Sequence, residues 1–210
     1  FKNQSQIKYF IASGVGLYKM FMEPKGLKKF GMKLMLNAPP VYLGQDGVLM
    51  IGGGLKRLPE EITSLSQVVK ETGEYIIAGH KKNDKPAPVI DMLGLTESIN
   101  VFIGVPTDPF SNDAWVKYPH PLAYVALLNS PNDLTPVENP EPGKEYLLFY
   151  VNLMTLDYIE AIVPGDFVLA SEKKDSINTA LGERNVSQQG FVYSRRAKQD
   201  EGFKIREGCG

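Results

Sequence analysis

The sequence predicts an α+β chain dominated by β-strands, mostly antiparallel. It adds a small barrel or sandwich at the C-terminal end and one main helix near residues 59–72. Three observations lead there. From Pro142 onward, short runs of strand-forming residues alternate with the glycine corners Gly143, Gly165, Gly182, Gly190 and Gly202, the spacing of strands reversed by tight turns. Fifteen prolines and twenty glycines in 210 residues favour turns over long helices. Only the stretch from Pro59 to Gly73 carries both the ends and the periodicity of a helix.

Residues 1–38 are rich in lysine, and Gly14, Gly16, Gly26 and Gly31 interrupt any helix there; short strands or an extended arm are expected. Pro39-Pro40 forms a break, because proline pushes its predecessor into extended geometry. Val41–Leu43 and Val48–Ile51 then flank Gly44-Gln45-Asp46-Gly47, which predicts a hairpin with an Asp-Gly turn. In the helix, Pro59 suits the first position and Glu60 and Glu61 meet the positive end of the dipole. Ile62, Leu65 and Val69 share a face, and Gly73 is the stop.

Glu74–Gly79 and Ala87–Asp91 read as two strands around the charged loop Lys81–Lys85, and Ile99–Gly104 as another. Prolines 106, 109, 119, 121, 131, 136, 140 and 142 make residues 105–145 a long surface loop with one apolar run, Leu122–Leu128. A division follows, into an N-terminal β-rich region 1–140 and a C-terminal barrel-like unit 141–210, with the boundary within 130–145.

A formal charge of −1 excludes a strongly basic nucleic-acid binder, and nucleic acid is not expected as a partner. The charge is unevenly spread. Residues 1–40 carry seven lysines against Glu23 alone, whereas residues 131–166 carry seven acids against Lys144. That pattern fits either head-to-tail attraction between subunits or two solvated faces of one domain. The single cysteine, Cys209, allows no intramolecular disulfide and no cysteine zinc site, in keeping with a reducing compartment. The chain opens at Phe1 without methionine and shows no signal-peptide layout. Its most apolar stretch, Tyr146–Val163, is interrupted by Asn152, Asp157 and Glu160, so no membrane span is expected.

Chemistry-bearing residues are sparse. His80 and His120 are the only histidines, and neither has ligand partners at metal-site spacing, so no metal is expected. Gly14-Val15-Gly16 lacks the third glycine of a dinucleotide turn. Gly52-Gly53-Gly54-Leu55-Lys56-Arg57 sets backbone N–H groups and two cations before the helix, where a phosphate could meet them. It lacks the Lys-Ser ending of a P-loop and reads as a flexible corner, so no cofactor is expected. Asp108 and Asp113 beside Phe110 and Trp115, with His120 near in sequence, have the composition of a sugar site, or of ordinary turns. Trp115, Tyr118 and Tyr124 form either an aromatic contact patch or pins for the proline-rich loop. Arg195, Arg196 and Lys198 beside Phe191-Val192-Tyr193 read as a charged strand edge.

The pattern Val163-Pro164-Gly165-Asp166, a charged turn, Ile177–Gly182, Gly190–Tyr193 and Phe203–Arg206 resembles the small β-barrels of tailed-phage capsid-decoration and other virion proteins. The resemblance implies a non-enzymatic particle component that binds neighbouring subunits and has no catalytic residue. The expected function is therefore a structural or assembly protein of a virus (bacteriophage) particle, located in the virion or host cytoplasm. Its partners would be itself or other subunits, with no small molecule evident. Lys25, Lys28, Lys29, Trp115, Tyr118, Tyr124, Arg195 and Arg196 are its candidate contacts. The alternative is a carbohydrate-active hydrolase using Asp108, Asp113 and His120, or a carbohydrate- or small-ligand-binding module built on the 108–124 loop.

Overall fold

Helix α1 (Gly14–Leu17) follows strand β1 (Tyr9–Ser13) directly and runs into a π-helical turn, Tyr18–Met22. Then come β2 (Val41–Leu43), β3 (Val48–Gly52), helix α2 (Leu65–Thr72), β4 (Ile76–Ala78), β5 (Val89–Leu95) and β6 (Asn100–Gly104). Among the described residues the elements of the second half are all strands: β7 (Ala123–Leu128), β8 (Glu145–Asn152), β9 (Glu160–Ile162), β10 (Asp166–Ala170), β11 (Ser176–Thr179), β12 (Gly182–Asn185) and β13 (Phe191–Arg196). This computed structural model describes residues 8–23, 41–53, 58–59, 61–62, 64–73, 75–79, 85–95, 100–108, 110, 115–153 and 160–197. The class is α+β and strand-dominated, as the sequence predicts. Among the described residues no helix is long and apolar enough to cross a membrane.

By its internal contacts the chain forms two units, residues 1–93 with 104–114, and residues 94–103 with 115–210. The division precedes the 130–145 stretch because β7 pairs through six residues with β8.

The first unit is built on parallel pairing, while the pairings of the second unit are antiparallel, in line with the expectation of mostly antiparallel strands. β3 lies between β1 and β5 and is parallel to both, and β2 pairs parallel with β4. The strand order is β1-β3-β5-β6, and the division between units passes through β5 and β6. The predicted hairpin at Gly44–Gly47 is therefore corrected. The turn is present, with the Gly47 N–H donating to the Gly44 carbonyl at 2.7 Å, and a β-carbon on Gly47 would collide with the Leu43 side chain. The strands it joins go to different sheets, β2 to β4 and β3 to β1 and β5. A tight turn reverses the chain; it does not oblige the flanking strands to pair.

Helix α2 begins later than Pro59 suggests. Ser64 is its N-cap, with a reciprocal pair of bonds: the Gln67 N–H to Ser64 Oγ, and the Ser64 N–H to Gln67 Oε1. That capping box satisfies two N-terminal donors at once, whereas Pro59 enters a separate turn in which its carbonyl accepts from the Ile62 N–H at 2.9 Å. Leu65, Val68, Val69 and Thr72 are buried, and Thr72 Oγ1 donates to the Val68 carbonyl at 2.9 Å.

In the second unit β13-β10-β8-β7 form an antiparallel sheet, with β9 also on β8, and β11-β12 form a separate hairpin. The expected C-terminal barrel is corrected: among the described residues this sheet does not close, and the Pro164-Gly165-Asp166 corner leads into its β10. Asp166, Val168 and Ala170 are buried at alternate positions of β10, the period-two signature of a strand packed on one face; on β8 Tyr146, Leu148, Tyr150 and Asn152 follow the same alternation and Leu147 is buried as well. Phe102 packs edge-on against Tyr150 and Phe191, with centroids at 5.5 and 5.3 Å. Beyond β13 the pairing continues through the bridges Lys117↔Phe191 and Ile103↔Tyr118.

Candidate ligand site

The carboxyl ends of β1 and β3 lie side by side, with Ser13 opposite Gly52. Both continue into glycine-rich backbone, Ser13-Gly14-Val15-Gly16 after β1 and Gly52-Gly53 at the end of β3. Ser13 Oγ accepts from the Gly16 N–H at 2.9 Å and holds the first of these turns. Gly53 has φ +85°, a left-handed conformation that favours glycine. Packing does not require glycine at either position of the second turn. A β-carbon on Gly52 would meet only the Met92 methyl, at 3.9 Å, and one on Gly53 would meet nothing within 4 Å. The result is a glycine-backbone edge at the carboxyl end of β3, with open space beside Gly53, next to the Ser13-capped turn that follows β1. In open sheets built of parallel strands this is where ligands bind.

One row behind that edge, Asp91 on β5 lies opposite Ile51 on β3 and is 3% exposed. A carboxylate in an otherwise apolar row is costly unless its oxygens are engaged. Its signal in the sequence is a lone acid in the run Val89-Ile90-Asp91-Met92-Leu93; there it passed for a strand end.

Of the residues singled out from sequence, Gly14, Gly16, Gly52 and Gly53 form this edge; the candidate catalytic and contact residues that are described do not. Asp108 Oδ1 accepts from the Phe110 N–H at 2.9 Å, and His120 Nδ1 from the Leu122 N–H at 3.1 Å, so each shapes a local turn. Asp113, His80, Cys209, Lys198, Lys25, Lys28, Lys29 and residues 54–57 lie outside the described residues. Trp115 and Tyr118 are 8% and 6% exposed, and Tyr124 45%, which leaves only Tyr124 of the three at the surface. Among the described residues no cluster of three or more His, Cys, Asp or Glu could hold a metal.

Arg195 and Arg196 form ion pairs within the second unit. Between Phe167 and Val168 the β10–β13 register shifts by a β-bulge, which leaves Ser194 as the extra residue. Ser194 Oγ donates to Glu145 Oε2 at 2.6 Å, and Arg195 donates to Oε1 through Nε and Nη2 at 3.1 and 2.8 Å. The guanidinium also lies 4.2 Å from the centre of the Phe167 ring, a cation–π contact. Arg196 Nη1 is 3.9 Å from the buried Asp166 Oδ1. Glu145 and Asp166, two members of the acidic segment, thus have cationic partners inside their own unit.

Burial, reinforced by the negative charge of Asp166, pushes the Tyr193 phenol up to about 12. A phenol whose folded-state value is raised binds its proton more tightly when folded, so its contribution is complete below pH 10 and is lost as the pH rises toward 12. The expected result is an alkaline fall in stability over that window, smaller in Tyr193→Phe. Urea midpoints of both proteins at neutral and alkaline pH would measure it, and identical alkaline losses would exclude Tyr193 as a cause.

No protein-family model matches the sequence, and no curated protein matches it. Solved structures with a similar chain path include FadD1, a long-chain-fatty-acid-CoA ligase from Archaeoglobus fulgidus, at TM-score 0.49 and 11% identity, over 92% of this chain and 35% of that one. Another is the N-terminal subdomain of Klebsiella oxytoca NpsA in complex with 3-hydroxybenzoyl-AMSN, at 0.46 and 13%, over 91% and 42%. A third is NpsA-ThdA, an artificially fused adenylation-PCP di-domain from Klebsiella oxytoca, at 0.42 and 12%, over 82% and 36%. The chain spans well under half the length of each. These neighbours are adenylation and ligase proteins, not virion components, and on that finding the expected phage-particle function is corrected, together with its carbohydrate-directed alternative. Of the positions that suggested a virion barrel, Gly165 and Asp166 lead into a sheet that among the described residues does not close, Ile177–Gly182 forms a separate hairpin, and Phe203–Arg206 lies outside the described residues.

Proposed function

We propose that the first unit binds a small phosphate-bearing ligand, of the nucleotide class, along the carboxyl edge of β1-β3-β5. The observation that carries this reading is the pair of adjacent parallel strands ending in register in glycine backbone, with open space where the second turn's side chains would be. Bare backbone lets a ligand approach closely and presents N–H donors suited to phosphate oxygens.

The test uses ATP, AMP and inorganic phosphate as probes in calorimetric titration of the whole chain. Adenine nucleotides come first because adenylation proteins are among the structures of similar path; the likeness supplies that choice of probe and nothing more. Gly52→Leu is the informative variant, since a β-carbon there makes only an ordinary contact, with the Met92 methyl at 3.9 Å. Expected are nucleotide binding by the natural chain and a loss of about tenfold or more in Gly52→Leu, with an unchanged melting temperature. Equal binding by both proteins would move the site elsewhere, and no binding of any probe would remove the reading.

A further inference from the structure

The outer edge of β7 is covered at three places, and the middle one is a side chain: the Ala123 N–H donates to the His120 carbonyl at 2.8 Å, Gln188 follows, and Val137 lies beyond it. β7 ends the strand order β13-β10-β8-β7, and its bonds to β8 use one side of its backbone. On the other side, the Gln188 carboxamide donates from Nε2 to the Ala123 carbonyl at 2.6 Å and accepts at Oε1 from the Val125 N–H at 3.0 Å. One amide thus fills the donor and acceptor positions bracketing Tyr124 that an added strand would take. Further along, the Val137 N–H donates to the Leu127 carbonyl at 2.9 Å.

What Gln188 covers is suited to pairing with itself. Ala123-Tyr124-Val125-Ala126-Leu127-Leu128 has no charge, proline or glycine, the composition of segments that stack edge to edge with identical copies. Tyr124 is exposed on it, and Leu122 and Leu153, also exposed, are joined by the bond from the Leu153 N–H to the Leu122 carbonyl at 3.0 Å. Pro119, Pro121 and Pro131 flank the run, where residues that break strands limit aggregation. We infer that Gln188 is a plug that keeps β7 from pairing with β7 of a second copy of this chain. The occupant is a second copy because the uncharged strand is its own best match in length and polarity.

The test is Gln188→Ala, read by light-scattering mass over a wide concentration range and by hydrogen exchange at the Val125 amide. The expected result is a mass that rises with concentration in Gln188→Ala alone, with the Val125 amide protected only in the associated form. Adding Tyr124→Lys should restore the monomer, since a charge on the edge opposes pairing. Gln188→Ala that stays monomeric while Val125 exchanges about tenfold faster would overturn the plug and leave Gln188 a simple hydrogen-bond partner. Where Gln188→Ala does not fold, Gln188→Glu serves: it keeps the acceptor for Val125, loses the donor to Ala123, and must associate more weakly but measurably. A monomeric Gln188→Glu, or a natural chain that already associates through β7, likewise overturns the inference.

Discussion

Replacing Phe102 by alanine is expected to destabilise the chain by about 3–5 kcal/mol, the range for deleting a buried aromatic ring. Phe102 is 1% exposed, and its ring meets Tyr150 at 87° and Phe191 at 78°. Edge-on pairs of this kind add about 0.5–1.5 kcal/mol each beyond the area they bury. Tyr150 and Phe191 are themselves fully buried, so neither can collapse freely into the vacated space. Phe102→Leu retains much of the volume and should cost about 1–2 kcal/mol. The measurement is the urea midpoint at constant slope for the three proteins. A loss below about 1 kcal/mol in Phe102→Ala would mean that this aromatic trio is not the centre of the second unit's core.

Gly190→Val should cost about 3 kcal/mol, for the opposite reason: too much volume rather than too little. A β-carbon there would lie 2.6 Å from Val116 Cγ1, 2.7 Å from Tyr118 Cε1 and 2.9 Å from Ser171 Oγ. Val116 and Tyr118 flank Lys117, whose backbone exchanges bonds of 2.7 and 2.9 Å with Phe191. The Ser171 N–H donates to the Gly190 carbonyl at 3.0 Å. Moving any one neighbour aside therefore strains the pairing on both sides of β13. The variant is expected to lose protection first at the Lys117 and Phe191 amides, read by hydrogen exchange. Protection at those two amides equal to the natural chain's would contradict this account.

Local chemistry was legible from the residues, and remote partnership was not. The strand runs at Val48–Ile51, at Asn100–Gly104 and from Tyr146 onward all lie at strands, and Gly73 stands at the end of α2. The capping box at Ser64 and Gln67 was present in the sequence but was eclipsed by Pro59, a weaker start signal here. The Asp-Gly turn was read correctly as a turn and wrongly as a hairpin, because Val41–Leu43 and Val48–Ile51 carry no mark of which strands they will join. The burial of Asp91 went unread for a related reason. Only pairing with Ile51 places it beside the glycine edge.

By themselves the residues determined the strand-dominated class, the position of most strands, the helix C-terminus and the glycine turns. Each of those depends on neighbours close in sequence, through backbone conformation, side-chain alternation and capping. The tertiary structure alone decided that β1, β3 and β5 run parallel, that the C-terminal sheet does not close among the described residues, and that Gln188 meets the edge of β7. Those outcomes depend on contacts across tens of residues, where pairing energy is set by the partner that arrives and not by the segment that waits.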